Sequence, residues 1–219
     1  MINSPHNPTG AVIGEQDIAA LKALVAEHDI YIISDEVYEH MVFDGQIHHS
    51  VLRYPELAQK AFAISSFGKT FHVTGWKVGY CVAPKDLTDE FRKIHQYVTF
   101  CTVSPLQMAL ADMIVEYPEK ISGLGAFYQR KRDVFAASIS DGPFKLLPCQ
   151  GTYFQSLDYS QVSDLNDVAF CKWLTETHKI ATIPMSVFYQ TPPNSRIVRV
   201  CFAKDEATLE QAGELLCRI

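Results

Sequence analysis

Short apolar runs that alternate with helical stretches are the feature that most limits how this chain can fold. Residues 30–33 form a continuous apolar run, which predicts a strand buried on both faces, and residues 61–64 and 78–83 predict two more strands. Residues 15–28 have the composition and apolar spacing of a helix that leads into the first strand. This alternation predicts an α/β fold with a mostly parallel sheet and helices on both faces.

The pattern changes after about residue 100. Helical stretches and strand-like segments now mix in the manner of an α+β layer, which predicts a second, smaller domain. We therefore expect residues 1–105 to belong to a larger domain and residues 106–219 to a small C-terminal domain. The predicted helices cover residues 105–116, 119–139, 164–178 and 205–217, and the predicted strands cover residues 144–147, 152–157, 180–183 and 196–202.

Charge and cysteine usage exclude several classes of protein. The chain has 19 Lys and Arg against 25 Asp and Glu, a net charge of −6, so we expect no nucleic-acid partner. Charges interrupt every apolar run, so we expect no membrane span. The six cysteines match no zinc spacing, and we expect no metal; a solvated turn is the favoured interpretation of the adjacent His48 and His49. The start of the chain does not resemble a signal peptide, which favours a cytoplasmic protein.

Polar residues follow three of the predicted strands, where open α/β sheets bind their ligands. Asn7 follows the beginning of the chain, Asp35 follows the run at residues 30–33, and Lys69 follows the run at residues 61–64. Each step between them has the length of one strand–helix–strand unit. An amide, a carboxylate and an amine are therefore expected to converge on one pocket.

A lysine amine and a carboxylate together suit pyridoxal phosphate. The cofactor needs a lysine that forms a Schiff base with its aldehyde, here Lys69, and an acidic partner for its pyridine nitrogen, here Asp35. The alternative is that Lys69 is a solvated loop residue, which is common after a Ser-Ser-x-Gly turn. The remaining groups suited to this cofactor are Asn7 and Tyr38 for the phenolic oxygen, and Ser66 and Lys77 for the phosphate.

Arg199 is a candidate clamp for the carboxylate of a substrate. Alternation along the strand at residues 196–202 places it on one face with Ile197 and Cys201. A guanidinium between apolar neighbours needs an anionic partner, and a planar carboxylate matches its two parallel donors. The alternative is a structural salt bridge to an acid within the chain.

Several motifs occur in a consistent order and carry a family resemblance. They are His6-Asn7-Pro8-Thr9-Gly10, Asp35-Glu36-Val37-Tyr38, Ser66-Phe67-Gly68-Lys69-Thr70 and Thr74-Gly75-Trp76-Lys77-Val78-Gly79-Tyr80. Together they resemble the class I/II aminotransferases of PLP fold type I. Gly151-Thr152-Tyr153-Phe154 and the segment at residues 198–205 most resemble the methionine and kynurenine–oxoglutarate aminotransferase branch. The resemblance extends over essentially the whole chain.

The resemblance assigns roles that the residues alone leave open. It implies that Lys69 is the catalytic lysine, and that Arg199 binds the α-carboxylate of an amino acid. It further implies transfer of an amino group from methionine, or another large apolar or aromatic amino acid, to a 2-oxo acid. The implied cofactor-binding residues are Asn7, Asp35, Tyr38, Ser66, Lys69 and Lys77.

The same resemblance has consequences for the size and assembly of the protein. Family members are usually much longer than 219 residues, so this chain corresponds to their C-terminal portion, with part of the PLP-binding large domain. We expect the full-length form to be a homodimer, and weak or no activity from these residues alone. Two alternatives stay open: a PLP-dependent β-lyase of sulfur amino acids, and a catalytically silent fragment or effector-binding module of a regulator with the same fold.

Overall fold

A computed structural model describes residues 1–219 and divides them into two compact units. The first unit comprises Met1–Pro5 and Val12–Leu124, and the second comprises His6–Ala11 and Gly125–Ile219. The predicted boundary between residues 105 and 106 concerns the large and small domains of the family, and it stays a prediction.

The first unit contains a four-stranded sheet in the order β1–β2–β3–β4. The first three strands run parallel, and the fourth is antiparallel to its neighbour. The mostly parallel sheet is therefore confirmed. The strands are β1 (Ile2–Asn3), β2 (Ile32–Asp35), β3 (Ala61–Ser66) and β4 (Gly79–Val82).

Helices pack on both faces of this sheet. On one face, Ile18 of the first helix and Leu57 of the second form a buried core with Ile32 and Ala63 of the strands. On the other face, the ring of Phe91 in the fourth helix lies 6.4 Å from the ring of Phe62. The helices of this unit are α1 (Glu15–Glu27), α2 (Pro55–Ala58), α3 (Phe67–Thr70), α4 (Lys85–Val98), α5 (Ser104–Glu116) and α6 (Glu119–Ser122).

The prediction that residues 30–33 form a strand buried on both faces was wrong. The strand begins at Ile32, where pairing with Ala61 of β3 begins. Ile32 is buried, whereas Tyr31 is 60% exposed and Ile33 is 42% exposed. An apolar run shows that a segment prefers burial, but it does not show which side chains the neighbouring elements cover.

The second unit contains an antiparallel sheet in the order β5–β6–β8–β7. The predicted helix at residues 119–139 is two helices, separated by a turn at Gly123, the C-cap of α6. The elements are α7 (Leu124–Ser138), whose first residue is assigned to the first unit, β5 (Lys145–Leu146), β6 (Phe154–Asp158), α8 (Asp167–His178), β7 (Ile183–Pro184), β8 (Ile197–Cys201) and α9 (Glu206–Cys217).

The core of the second unit lies between its sheet and its helices. Leu157 of β6 and Val198 of β8 are fully buried, and the rings of Tyr159 and Phe170 stack with centroids 3.8 Å apart. These large apolar contacts account for an α+β layer of its own in this unit. No helix in the structure combines the length and the apolar composition needed to cross a bilayer.

Candidate active site

Three parallel strands of the first unit end at one edge of its sheet, and polar residues lie there. Asn3 of β1 pairs with Asp35 of β2, and Asp35 pairs with Ile64 of β3. Because side chains alternate along a strand, Ser66 lies on the same face as Ile64 and Asp35. The carboxyl edge of this sheet therefore presents a carboxylate and a hydroxyl on one face.

The backbone of Asp35 is held by the end of β1. Its carbonyl oxygen accepts hydrogen bonds from Ser4 N at 3.1 Å and from Asn3 Nδ2 at 3.0 Å. Its side chain is half-buried, and Oδ1 accepts from Val37 N at 3.2 Å. An ionised carboxylate accepts about four hydrogen bonds. Asp35 therefore has the acceptor capacity to bind a protonated ring nitrogen.

The turn after β3 places an amine close to this edge. Ser66 is the N-cap of α3, and its Oγ accepts from Gly68 N at 3.1 Å and donates to Val78 O at 3.3 Å. Lys69 lies one helical turn after this cap and is half-buried. The approach of β4 is close here, since a Cβ on Gly79 would lie 2.6 Å from Ser65 O. Ser66 and Lys69 thus have fixed backbone positions.

Two further predicted ligands belong to the same unit but differ in exposure. Tyr38 is only 2% exposed and lies in the turn after β2, where its carbonyl oxygen accepts from Met41 N at 2.8 Å. Lys77 is exposed and has a left-handed backbone with φ of 58°, directly after a 3₁₀ turn at Thr74–Trp76. The phenol therefore has a rigid setting, and the Lys77 amine is open to a solvent-borne anion.

Arg199 occupies the middle of β8 in the second unit. Its neighbours along the strand, Val198 and Val200, are buried on the opposite face, which confirms the predicted alternation. Its guanidinium donates through Nη1 to Asn7 Oδ1 at 2.5 Å, and its Cζ lies 3.9 Å from the centre of the Phe154 ring. A planar cation held over an aromatic face is restricted in direction.

Phe188 adds a second ring beside this guanidinium, with its centre 5.5 Å from Arg199 Cζ. Phe188 lies at the end of the 3₁₀ turn Ser186–Phe188. The first residue of this turn is held by the buried Asp167, because Ser186 N and Oγ donate to its carboxylate at 2.6 and 2.8 Å. Sequence reasoning did not identify this arrangement. Aromatic residues near strands usually signal core, and only the fold shows which rings lie beside the arginine.

The predicted residues are thus shared between the two units. The structure brings Asn7 together with Arg199 in the second unit, and places Asp35, Tyr38, Ser66, Lys69 and Lys77 in the first. The functional groups of the five residues in the first unit fit pyridoxal phosphate. A carboxylate suits the pyridinium nitrogen, and a phenol suits the phenolic oxygen. One amine suits the aldehyde, and the other amine and a hydroxyl suit the phosphate.

The interpretation of His48 and His49 as a solvated turn was wrong for His48. Its side chain is 12% exposed, and its Nε2 lies 3.0 Å from Oε2 of the buried Glu36. One ligand atom from each of Glu36, Glu39 and His48 lies within 4.8 Å of the others. Adjacent histidines in a polar loop give no sign of this pairing, because it depends on where the loop returns to the sheet.

Comparison with known proteins decides the family. The model of the aminotransferase class I and II family matches residues 1–216. This chain belongs to the class I and II aminotransferases. Members of that family depend on pyridoxal phosphate, so the predicted cofactor and the predicted fold type are confirmed.

Individual relatives show how far the similarity reaches. The chain is 51% identical to the methionine aminotransferase of Escherichia coli, over 99% of this chain and 56% of that protein. It is 32% identical to human kynurenine–oxoglutarate transaminase 1, over 99% of this chain and 56% of that protein. The predicted similarity to the methionine and kynurenine branch is confirmed, and the chain spans little more than half of these relatives.

Solved structures agree with the sequence relatives. The structure of YbdL from E. coli, reported to have a methionine aminotransferase function, matches with a TM-score of 0.97 at 51% identity, over 100% of this chain and 58% of that one. N-succinyldiaminopimelate aminotransferase from Mycobacterium tuberculosis matches with a TM-score of 0.93 at 33% identity, over 99% of this chain and 57% of that one. The fold is therefore shared across the matched region.

Proposed function

We propose that this chain carries part of the active site of a pyridoxal phosphate-dependent aminotransferase. The reaction moves an amino group from methionine, or another large apolar or aromatic amino acid, to a 2-oxo acid. The observation that carries the proposal is the placement of Asp35 and Ser66 on one face of the sheet edge, with Lys69 one helical turn further on. Family membership and the 51% identity to a methionine aminotransferase support it.

Each residue has a distinct task in this proposal. When bound, pyridoxal phosphate supplies an aldehyde that condenses with amines and a ring that accepts the electron pair left at the Cα of the amino acid. Lys69 Nζ holds the cofactor and, once released by the substrate, takes the proton from that Cα. Asp35 holds the proton on the ring nitrogen through charge-assisted hydrogen bonding.

The remaining residues orient the two ligands. Asn7 and Tyr38 bind the phenolic oxygen, Ser66 and Lys77 bind the phosphate, and Arg199 binds the α-carboxylate of the amino acid. Lys77 offers phosphate a point charge rather than the two parallel donors of an arginine. The bond from Arg199 to Asn7 holds the guanidinium in a fixed direction before a substrate arrives. A homodimeric full-length form belongs to the same proposal and rests on the family resemblance. A cytoplasmic location belongs to it as well, and the six free cysteines support it.

Chemical trapping on the full-length protein that contains these 219 residues tests this function. Pyridoxal phosphate is added, the product is reduced with borohydride, and the modified lysine is located by mass spectrometry. We expect the label on Lys69 and a visible absorbance band from the bound cofactor, and we expect both to be lost in Lys69→Ala. The control is Lys85→Ala, whose side chain is 87% exposed and which should leave the visible absorbance spectrum unchanged. A label spread evenly over surface lysines, or an absorbance band that survives Lys69→Ala, would contradict the proposal.

Product analysis separates transfer from elimination. With methionine as donor, a transaminase forms more than one equivalent of the 2-oxo acid of methionine per active site only when a 2-oxo acid acceptor is present to take up the amino group. With a cysteine thioether, whose sulfur lies on the β-carbon, release of a thiol, ammonia and pyruvate without an acceptor would indicate the β-lyase reaction instead.

A further inference from the structure

A buried carboxylate directly follows Asp35, and the proposed function gives it no task. Glu36 is 4% exposed, and its Oε1 accepts from Ser34 Oγ at 2.8 Å and from Val51 N at 3.0 Å, while its Oε2 lies 3.0 Å from His48 Nε2. A buried carboxylate is costly to desolvate and persists only when hydrogen bonds satisfy it. Partners from β2 and from the loop that returns at residues 48–51 converge on this one.

The bond between Ser34 and Glu36 spans Asp35. Residues two apart lie on the same side of an extended segment, so the residue between them lies on the other side. Ser34 and Glu36 are both buried, and Asp35 between them is half-buried on the opposite face. The hydrogen bond between Ser34 and Glu36, called the bracket below, therefore sets the side of the sheet on which the Asp35 carboxylate lies.

The main chain of Glu36 extends the same restraint. Its N–H donates to Ile64 O of β3 at 2.8 Å, and its carbonyl oxygen accepts from Glu39 N at 2.9 Å in the turn that contains Tyr38. The bond from Val51 N closes the loop between residues 36 and 51 onto the carboxylate. One side chain thus connects the end of β2, the turn of Tyr38 and the return of the loop.

The charge state of Glu36 agrees with this geometry. Burial alone raises the pKa of its carboxyl, but hydrogen bonds from His48, Ser50, Val51 and Ser34 outweigh burial and hold the pKa below its ordinary value of 4.5. The group is therefore ionised at neutral pH. Its contribution to stability is present above pH 4.5 and is lost as the pH falls through the lowered pKa.

We propose that Glu36, itself held by His48 and Val51, is a positioning residue, which acts through its bond to Ser34 to direct the Asp35 carboxylate toward the ring nitrogen of the cofactor. This inference rests on the proposed function for the identity of the ligand. The orientation of Asp35 is measured in the cofactor-free chain, so this part of the inference does not depend on the proposed function.

The amide of Val37 is the reporter, because it donates to Asp35 Oδ1. Hydrogen exchange at this amide is measured by NMR in the cofactor-free chain and in the variants Ser34→Ala and Glu36→Gln. We expect about tenfold faster exchange in each, since each weakens the bracket by roughly one hydrogen bond. Ser65→Ala is the matched control, a buried serine on the neighbouring strand, and is expected to stay within about twofold of the parent chain.

Two results would overturn the proposal. One is a Val37 exchange rate in both bracket variants that stays within about twofold of the parent chain. The other is an equal increase in Ser65→Ala, which would indicate general loosening of the sheet. Neither result depends on cofactor binding.

A spectroscopic signature separates positioning from a merely structural role. In the full-length protein loaded with pyridoxal phosphate, we expect Ser34→Ala to move the pH midpoint of the visible absorbance in the same direction as Asp35→Asn, and Ser65→Ala to leave it in place. A midpoint unmoved by Ser34→Ala would contradict the proposal. If the full-length protein takes up no cofactor at Lys69, the proposed function fails, and the Val37 amide still decides the role of Glu36.

Discussion

The two units hold their functional groups in different ways. In the first unit, Asp35 and Ser66 lie at the ends of parallel strands, and main-chain hydrogen bonds fix them. In the second unit, Arg199 lies in the middle of an antiparallel strand between aromatic rings, with one hydrogen bond to Asn7. Strand ends thus supply precise polar positions, and strand centres supply a rigid cation on a packed surface.

The two sheets also differ in how completely their side chains are buried. Four successive residues of β6, Phe154 to Leu157, are buried, whereas Ile33 and Ile64, on one face of the first sheet, are 42% and 38% exposed. Both faces of this strand are therefore covered. The first unit leaves apolar side chains open on one face of its sheet.

The largest expected effect is on the covered sheet. Leu157→Ala removes a fully buried side chain and leaves a cavity, so we expect a loss of about 2–5 kcal/mol in the free energy of unfolding. Urea unfolding followed by circular dichroism measures this loss. Leu165→Ala, at a residue 42% exposed in the same unit, is the control and should cost much less. Equal losses in the two variants would show that the core of the second unit is not as closed as described.

The next effect concerns the stacked cation. Arg199→Ala should weaken methionine binding to the cofactor-loaded chain by about 2–4 kcal/mol, which is roughly 30- to 1,000-fold, because a charge-assisted pair of hydrogen bonds is lost. Calorimetric titration measures the affinity. Arg196→Ala is the matched control, since that arginine pairs with Asp164 and should leave affinity within about twofold. An unchanged affinity in Arg199→Ala would remove this residue as the carboxylate clamp.

The smallest effect is expected on the open face of the first sheet. Ile33→Thr should change the free energy of unfolding by no more than about 0.5 kcal/mol, because the side chain is already 42% exposed. The neighbouring Ile32→Thr places a hydroxyl in the core and should cost several times more. If both variants lose the same stability, the face around Ile33 is covered in solution, and the contrast between the two sheets disappears.

The candidate site residues could be proposed from the sequence more readily than the packing around them. Lys69, Asp35 and Arg199 follow from residue type, spacing and motif order, because their functional groups suit one cofactor and one substrate class. Phe154 and His48 do not, since their contacts with Arg199 and Glu36 depend on tertiary packing. The helix Lys85–Val98 was absent from the prediction, and β2 begins two residues later than predicted because strand pairing sets its start.

The close approach at Gly79 affects how mutational surveys of this protein should be interpreted. No side chain fits there without displacing Ser65, because a Cβ would lie 2.6 Å from a backbone oxygen. A survey that scores only activity would group Gly79 with the chemical residues, since it lies within the Thr74-to-Tyr80 motif. Its requirement is steric, and a companion measurement of folded protein would separate such space-limited positions from those that handle protons or charge.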